Sequence, residues 1–262
     1  DMDIRIEGTD KTVTALHIGE GAGEEIVPVA DKDLVFFTNG SMAQNSTQGS
    51  MTEAPVMNRD IAHRGCFSLW EKLAAKCPEY GHPEKFAFDP DKSNFVSCSV
   101  TVRDYPQFFD YLAEKTGNPT GKGGCSTFVD APWFINYNVP LQPVAHDQPE
   151  NVQFMWFYGL HANNCGTYVK KPMTECSGEE IMREFLYYCG LEDKIDEIMP
   201  HITAIPVVMP YITSQFMPRK LKDRPKVIPY GNKNLAFVGQ FVELEGDVVF
   251  TVETSVRTAM IA

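Results

Sequence analysis

Two short stretches carry residue types suited to holding a ligand. Thr38, Asn39, Gly40, Ser41 and Met42 follow the apolar run DLVFFT, and Gly239, Gln240 and Phe241 follow Leu235, Ala236, Phe237 and Val238. A glycine at the C-terminal end of a buried strand lets the main chain approach a bound molecule closely, and Asn, Ser, Thr or Gln beside it supplies hydrogen bonds. On spacing alone, an ordinary strand-to-helix turn is the plainer reading of residues 38–42. A third stretch, Thr213, Gln215 and Arg219 between Pro210 and Pro218, reads either as an extended segment with a polar face toward a cavity, or as a structural crossover whose arginine pairs with an acid. Met209, Phe216 and Met217 beside it suit an apolar channel or plain core. Gly19, Gly21 and Gly23 invite a nucleotide-loop reading. That reading is rejected, because a dinucleotide fingerprint must open a helix, whereas GEEIVPVA contains a proline and alternates like a strand; a hairpin is expected instead.

The elements that must position these residues alternate along the chain. MDIRIEG, TVTALHI, EIVPVA and DLVFFT read as strands, with Met2, Ile4 and Ile6 on one face. LAFV reads as a buried parallel strand, because both of its faces are apolar and it stops at glycine. Helices are expected over 61–76, with Ile61, Gly65, Leu69, Trp70 and Leu73 on one side, and from a capping box of Asp104 and Gln107 to Gly117, with Phe108, Phe109 and Leu112 inward. Ser177 and Glu180 form a second capping box, opening a helix with Ile181, Met182, Phe185, Leu186 and Cys189 inward and Gly190 as its stop. NVQFMWFYGL reads as a long strand, preceded by a strand that Pro140 must interrupt or push to an edge. Residues 248–260 read as strand by composition, being rich in β-branched residues. The fold class is α/β or a mixed α+β sheet domain.

Composition removes several classes. With 262 residues, 43% hydrophobic and 11% aromatic, the chain is long and apolar enough for a packed core. A formal net charge of −12 repels phosphate backbones, and with no local Lys/Arg cluster taken to offset it, nucleic acid is excluded as a partner. Seven cysteines at positions 66, 77, 98, 125, 165, 176 and 189 are odd in number and show no CxxC spacing, so neither a disulfide framework nor a metal site is signalled, and reduced thiols in a cytoplasmic protein are expected. No apolar stretch reaches the roughly 20 residues of a spanning helix, which leaves peripheral membrane contact open. The chain starts inside an alternating strand pattern, as a piece of a longer protein would.

Several ordered blocks together carry a resemblance: TNGSMAQNST (38–47), QPENVQFMWFYGL (148–160), YVKKPMTECSGEEI (168–181), MPYITSQFMPR (209–219), RPKVIPYGNKNLAFVGQF (224–241) and VVFTVETSVRTAM (248–260). The chain resembles the oleate hydratases, also called myosin-cross-reactive antigens, over essentially its whole length. That resemblance implies an FAD-dependent hydratase that adds water across a cis double bond of an unsaturated fatty acid, with homodimers common. It also implies a partial FAD-binding flavoprotein fold with a mixed sheet and a substrate domain, the first Rossmann βαβ unit being absent. The implied division is a sheet segment over 1–50 ending in a flavin-proximal loop, a substrate-binding domain over 51–220, and a late strand, loop and helix over 221–262. In flavoproteins of this kind a late strand ends in glycine and an acidic residue then caps a helix directed at the cofactor. The resemblance therefore converts 248–260 from strand to helix and assigns Asp247 and Val248, with Thr38 to Met42 and Gly239 to Phe241, to cofactor binding.

The family's catalytic glutamate and tyrosine match nothing in this chain, so no catalytic residue is assigned. The family's carboxylate-binding Thr, Asn and His set aligns with Asn138, Pro140 and Val144. Proline has no donor and valine no polar group, which leaves Asn138, with Thr213 and Gln215, as the candidate substrate contacts and His146 as a nearby substitute. Isomerisation of a double bond, flavin redox chemistry on another lipid, or an inactive fragment are the alternative readings.

Overall fold

A computed structural model describes residues 1–19, 23–60, 65–122, 124–247 and 252–262, apart from the side chain of Cys66. The strands, in chain order, are β1 (Met2–Glu7), β2 (Asp10–Ile18), β3 (Glu25–Pro28), β4 (Val35–Thr38), β5 (Thr47–Gln48), β6 (Phe95–Arg103), β7 (Ser126–Phe128), β8 (Ile135–Asn138), β9 (Val152–Gly159), β10 (Ile202–Met209) and β11 (Leu235–Val238). The helices are α1 (Cys66–Lys76), α2 (Pro90–Ser93), α3 (Gln107–Thr116), α4 (Gly178–Tyr188), α5 (Ile195–Ile198) and α6 (Val252–Ile261). The chain forms two compact units, one from Asp1–Gln44, Asp60–Ser93 and Thr213–Ala262, the other from Asn45–Arg59 and Asn94–Ile212. The α/β class holds, with parallel and antiparallel pairing in separate sheets.

In the first unit β1, β2 and β3 form an antiparallel meander. β2 and β3 pair antiparallel, Ile18 opposite Glu25, which agrees with the expected hairpin; Glu20, Gly21 and Ala22 lie outside the described residues. Met2 is buried but Ile6 stands 52% exposed, so the apolar face expected of β1 fades along the strand. β4 and β11 pair in parallel, Val35 with Leu235 through Thr38 with Val238. Phe37 of β4 meets Phe237 of β11 at 5.7 Å, Phe241 just beyond β11 meets Phe67 of α1 at 5.2 Å, and Trp70 of α1 stacks on Phe86 at 5.6 Å. Helix α1 buries Phe67, Trp70 and Leu73 completely. Phe67 was not in the expected stripe, and Gly65 is the N-cap rather than a stripe member. Ile61 lies outside the described residues.

The second unit is built on one six-stranded antiparallel sheet in the order β5-β10-β6-β9-β8-β7. Alternation along β6 sends Val96, Cys98, Val100 and Val102 inward, where they meet Met155 and Phe157 of β9 and Ile181, Phe185 and Leu186 of α4. Strand β8 stops at Asn138, ahead of Pro140, as a ladder needing N–H donors requires. Helix α4 opens with the expected reciprocal capping box, Ser177 Oγ accepting from the Glu180 amide while Glu180 accepts from the Ser177 amide. Gly190 at φ 70° ends it. The box expected at Asp104 does not form. Asp104 sits at φ 56° with its carboxylate receiving the Asn151 side chain at 2.7 Å, and Pro106 is the N-cap without a side-chain bond. Phe108, Phe109 and Leu112 are buried as expected, and Gly117 closes α3 in the left-handed conformation.

Candidate functional site at the ends of two parallel strands

The parallel register of β4 and β11 puts their C-terminal ends side by side, so Asn39 to Met42 and Gly239 to Phe241 leave the sheet as neighbours. That edge is where open parallel sheets place ligands. Asn39 is fully buried and donates its side-chain amide to the Phe241 carbonyl at 2.9 Å, tying the two loops together. Gly40 has φ +72°, and a Cβ there would stand 2.8 Å from the Phe241 ring and 2.9 Å from Phe67. The glycine is therefore demanded by the rings packed over it. Phe241 is 1% exposed and belongs to this aromatic core, which makes it a support for the site rather than a ligand contact. Ser41 and Met42 are half-buried. The Ser41 carbonyl accepts the Gln44 amide.

Gly239 has φ +112°, and its amide donates to Thr258 Oγ1 at 2.9 Å. A Cβ at this position would meet only the methyl of Thr38, at 3.1 Å. Gln240 receives the Gln215 side chain at 3.1 Å, which brings the third polar stretch to the same strand ends. That stretch is not extended. Ser214–Phe216 is a 3-10 turn, Thr213 Oγ1 donates to the Ser93 carbonyl at 3.0 Å, and Arg219 pairs with Glu243 at 2.8 Å. The structural reading of Thr213 and Arg219 prevails, while Gln215 keeps one group to offer. Phe216, considered for an apolar channel, is 65% exposed.

Three buried polar atoms here find no hydrogen-bond partner among the described residues: Asn39 Oδ1, Ser214 Oγ and Gln215 Oε1. Leaving such a group unmatched costs about 1–3 kcal/mol, and both amide oxygens accept, so the missing partners are donors. Ser214 and Thr258 were not singled out in the sequence. The four-residue spacing of Thr254 and Thr258, which sets both on one helical face, was the available signal.

Asp247 binds Arg257 through both carboxylate oxygens, at 2.6 and 2.5 Å. Val248 lies outside the described residues, as does the start of the expected helix; the described helix α6 begins at Val252. Asn138 belongs to the second unit, at the end of β8 opposite Trp156. Val144 is 55% exposed and His146 is exposed. Among the described residues there is no cluster able to hold a metal ion, no helix long and apolar enough to cross a membrane, and no disulfide.

A model of the MCRA family matches residues 1–262. The chain belongs to the MCRA family. An oleate hydratase of Streptococcus pyogenes serotype M49 (strain NZ131) is 40% identical over 270 residues, covering 98% of this chain and 45% of the relative. A linoleate hydratase of Lactiplantibacillus plantarum is 31% identical over 271 residues, covering 96% of this chain and 47% of the relative. The chain thus spans about half the length of these relatives, and the MCRA match covers the strand-end site and the antiparallel unit alike.

Proposed function

We propose that the protein to which this chain belongs hydrates a cis double bond of an unsaturated fatty acid and binds FAD, with the strand-end site contributing to the flavin pocket. The reading is carried by the similarity to two hydratases across both units. Hydration forms one C–H and one C–O bond from a C=C bond and water; no electrons are transferred overall. The reaction needs a proton donor at one carbon, an activated water at the other and a dry slot for the chain.

The residues present fit a flavin dinucleotide. Its ribityl hydroxyls and ring N–H groups are donors, which the unmatched amide oxygens of Asn39 and Gln215 lack, its carbonyls and hydroxyls can take the Ser214 O–H, and Gly239 offers an otherwise open backbone face. When bound, the flavin supplies a flat polar surface beside the substrate. Asn39 ties the loops together, the Gly239–Thr258 hydrogen bond fixes the strand end, and Gln240 orients Gln215. Asn138 remains the candidate donor to a fatty-acid carboxylate. The proton donor and the water-activating group are assigned outside this chain, and homodimerisation belongs to the same proposal.

Pro140 and Val144 favour a second reading, in which the fold is kept but the acid is held differently and the double bond is moved rather than hydrated. Incubation of the full-length protein with oleate under nitrogen separates the two. Hydration gives a product heavier by one water; isomerisation leaves the mass unchanged, and an unchanged mass contradicts the first reading.

A further inference from the structure

Lysine and arginine are unevenly spread in this acidic chain. Residues 219–226, RKLKDRPK, hold five cations against one acid, Asp223, which corrects the expectation that no basic cluster offsets the net charge of −12. Arg219 and Arg224 share a single carboxylate, Glu243, at 2.8 and 3.2 Å. Two guanidiniums on one carboxylate leave this mostly buried group with one surplus positive charge. Lys222 and Lys226 are exposed and make no ion pair among the described residues.

Three of these cations, Lys222, Arg224 and Lys226, line one groove of about 400 Å³. Its acid, Glu79, is offset by Lys11 at 3.4 Å. The rest of the lining is apolar: Leu221, Tyr230, Pro229 and Pro78. Leu221 is 78% exposed and Tyr230 73% exposed, an unusual outlay of apolar surface beside ammonium groups. A site with positive charge at its rim and an aliphatic and aromatic wall suits a ligand with an anionic head and a hydrocarbon tail.

We propose that this groove is a second fatty-acid site, separate from that of the reacting substrate and from the flavin contacts at the strand ends, in which Lys222 and Lys226 hold the carboxylate of a long-chain fatty acid while Leu221, Pro229 and Tyr230 cover the first part of its chain. The choice of a fatty acid rests on the functional reading above; the preference for an anionic head rests on the groove alone. Such a site raises the local concentration of a poorly soluble acid at the protein surface.

The test is calorimetric titration of the full-length protein with sodium oleate below its micelle concentration, on wild type and on the Lys222→Glu/Lys226→Glu double variant, whose side chains are exposed. The expected result is one oleate fewer per chain in the variant, or at least a tenfold weaker affinity at that site, with oleyl alcohol failing to displace oleate from wild type. Unchanged stoichiometry and affinity in the variant overturn the proposal, as does displacement by the alcohol. Lysine-dependent binding to phosphatidylglycerol vesicles without lysine-dependent binding of free oleate assigns the surface to a membrane instead and also overturns it. Hydration measured on the same samples keeps the two readings apart: loss of hydration activity in wild type with groove binding intact contradicts only the functional reading.

Discussion

Helices α4 and α6 differ in what they bury. Helix α4 turns Ile181, Met182, Phe185 and Leu186 inward, and its buried Glu184 accepts the backbone amides of Thr167, Tyr168 and Val169, so its buried carboxylate is matched. Helix α6 does the reverse. Thr254 and Thr258 face inward, while Val252, Val256 and Met260 form an i, i+4, i+8 stripe 78, 52 and 82% exposed. Their sheets differ likewise: β4 pairs only with β11 among the described residues and exposes Phe36 at 55%, although parallel strands are normally covered on both faces. The antiparallel unit closes a continuous core around α4 but also exposes Val129 and Leu141, at 67 and 69%; what marks the first unit is that the amide oxygens of Asn39 and Gln215 and the Ser214 hydroxyl lie unmatched together at its strand ends. The proposed flavin contacts are drawn from those strand ends, because groups already satisfied have nothing to offer a ligand.

The largest effect that would break this contrast is expected in the antiparallel core. Phe185 is fully buried and its ring stacks on Phe157 at 4.7 Å. Phe185→Ala should cost about 3–5 kcal/mol in urea unfolding, and less than 1 kcal/mol would mean that this core is not the rigid one. Next, Gly40→Ala puts a methyl group against Phe241 and Phe67 at a left-handed residue and should destabilise the first unit by about 1–3 kcal/mol, read by the same unfolding. Ser177→Ala removes half of the capping box and should cost about 1 kcal/mol. The smallest effect sharpens the comparison most: Val256→Lys on the exposed face of α6 should lie within about 0.5 kcal/mol of wild type in this chain. A larger loss in the full-length protein would show that the stripe is covered there.

What was legible in the sequence follows the same division. Helix α4 was readable because its cap, its stripe and its glycine stop are local signals that agree. The parallel pairing of β11 was foreshadowed by apolar residues on both faces. Helix α6 was legible only through family resemblance, since Val252, Thr254, Val256 and Thr258 are β-branched and its apolar stripe faces outward, which inverts the usual rule. Asp104 and Gln107 imitated a capping box, but Asn151, remote in sequence, took the carboxylate. The prolines around Thr213 suggested extension where tertiary bonds to Ser93 hold a turn. Of the site itself, the glycines were visible, whereas the Asn39 tie, the Thr258 bond and the unmatched Ser214 hydroxyl depend on contacts between distant segments.

The proposed flavin contact at the ends of β4 and β11 is tested most directly by titration of the full-length apoprotein with FAD, followed by flavin fluorescence. Gln215→Met keeps the side-chain length but removes the unmatched acceptor; with its unfolding transition at the wild-type position, it is expected to bind FAD about tenfold more weakly, the equivalent of about 1.4 kcal/mol. An affinity equal to that of wild type in a variant equally well folded would contradict the account.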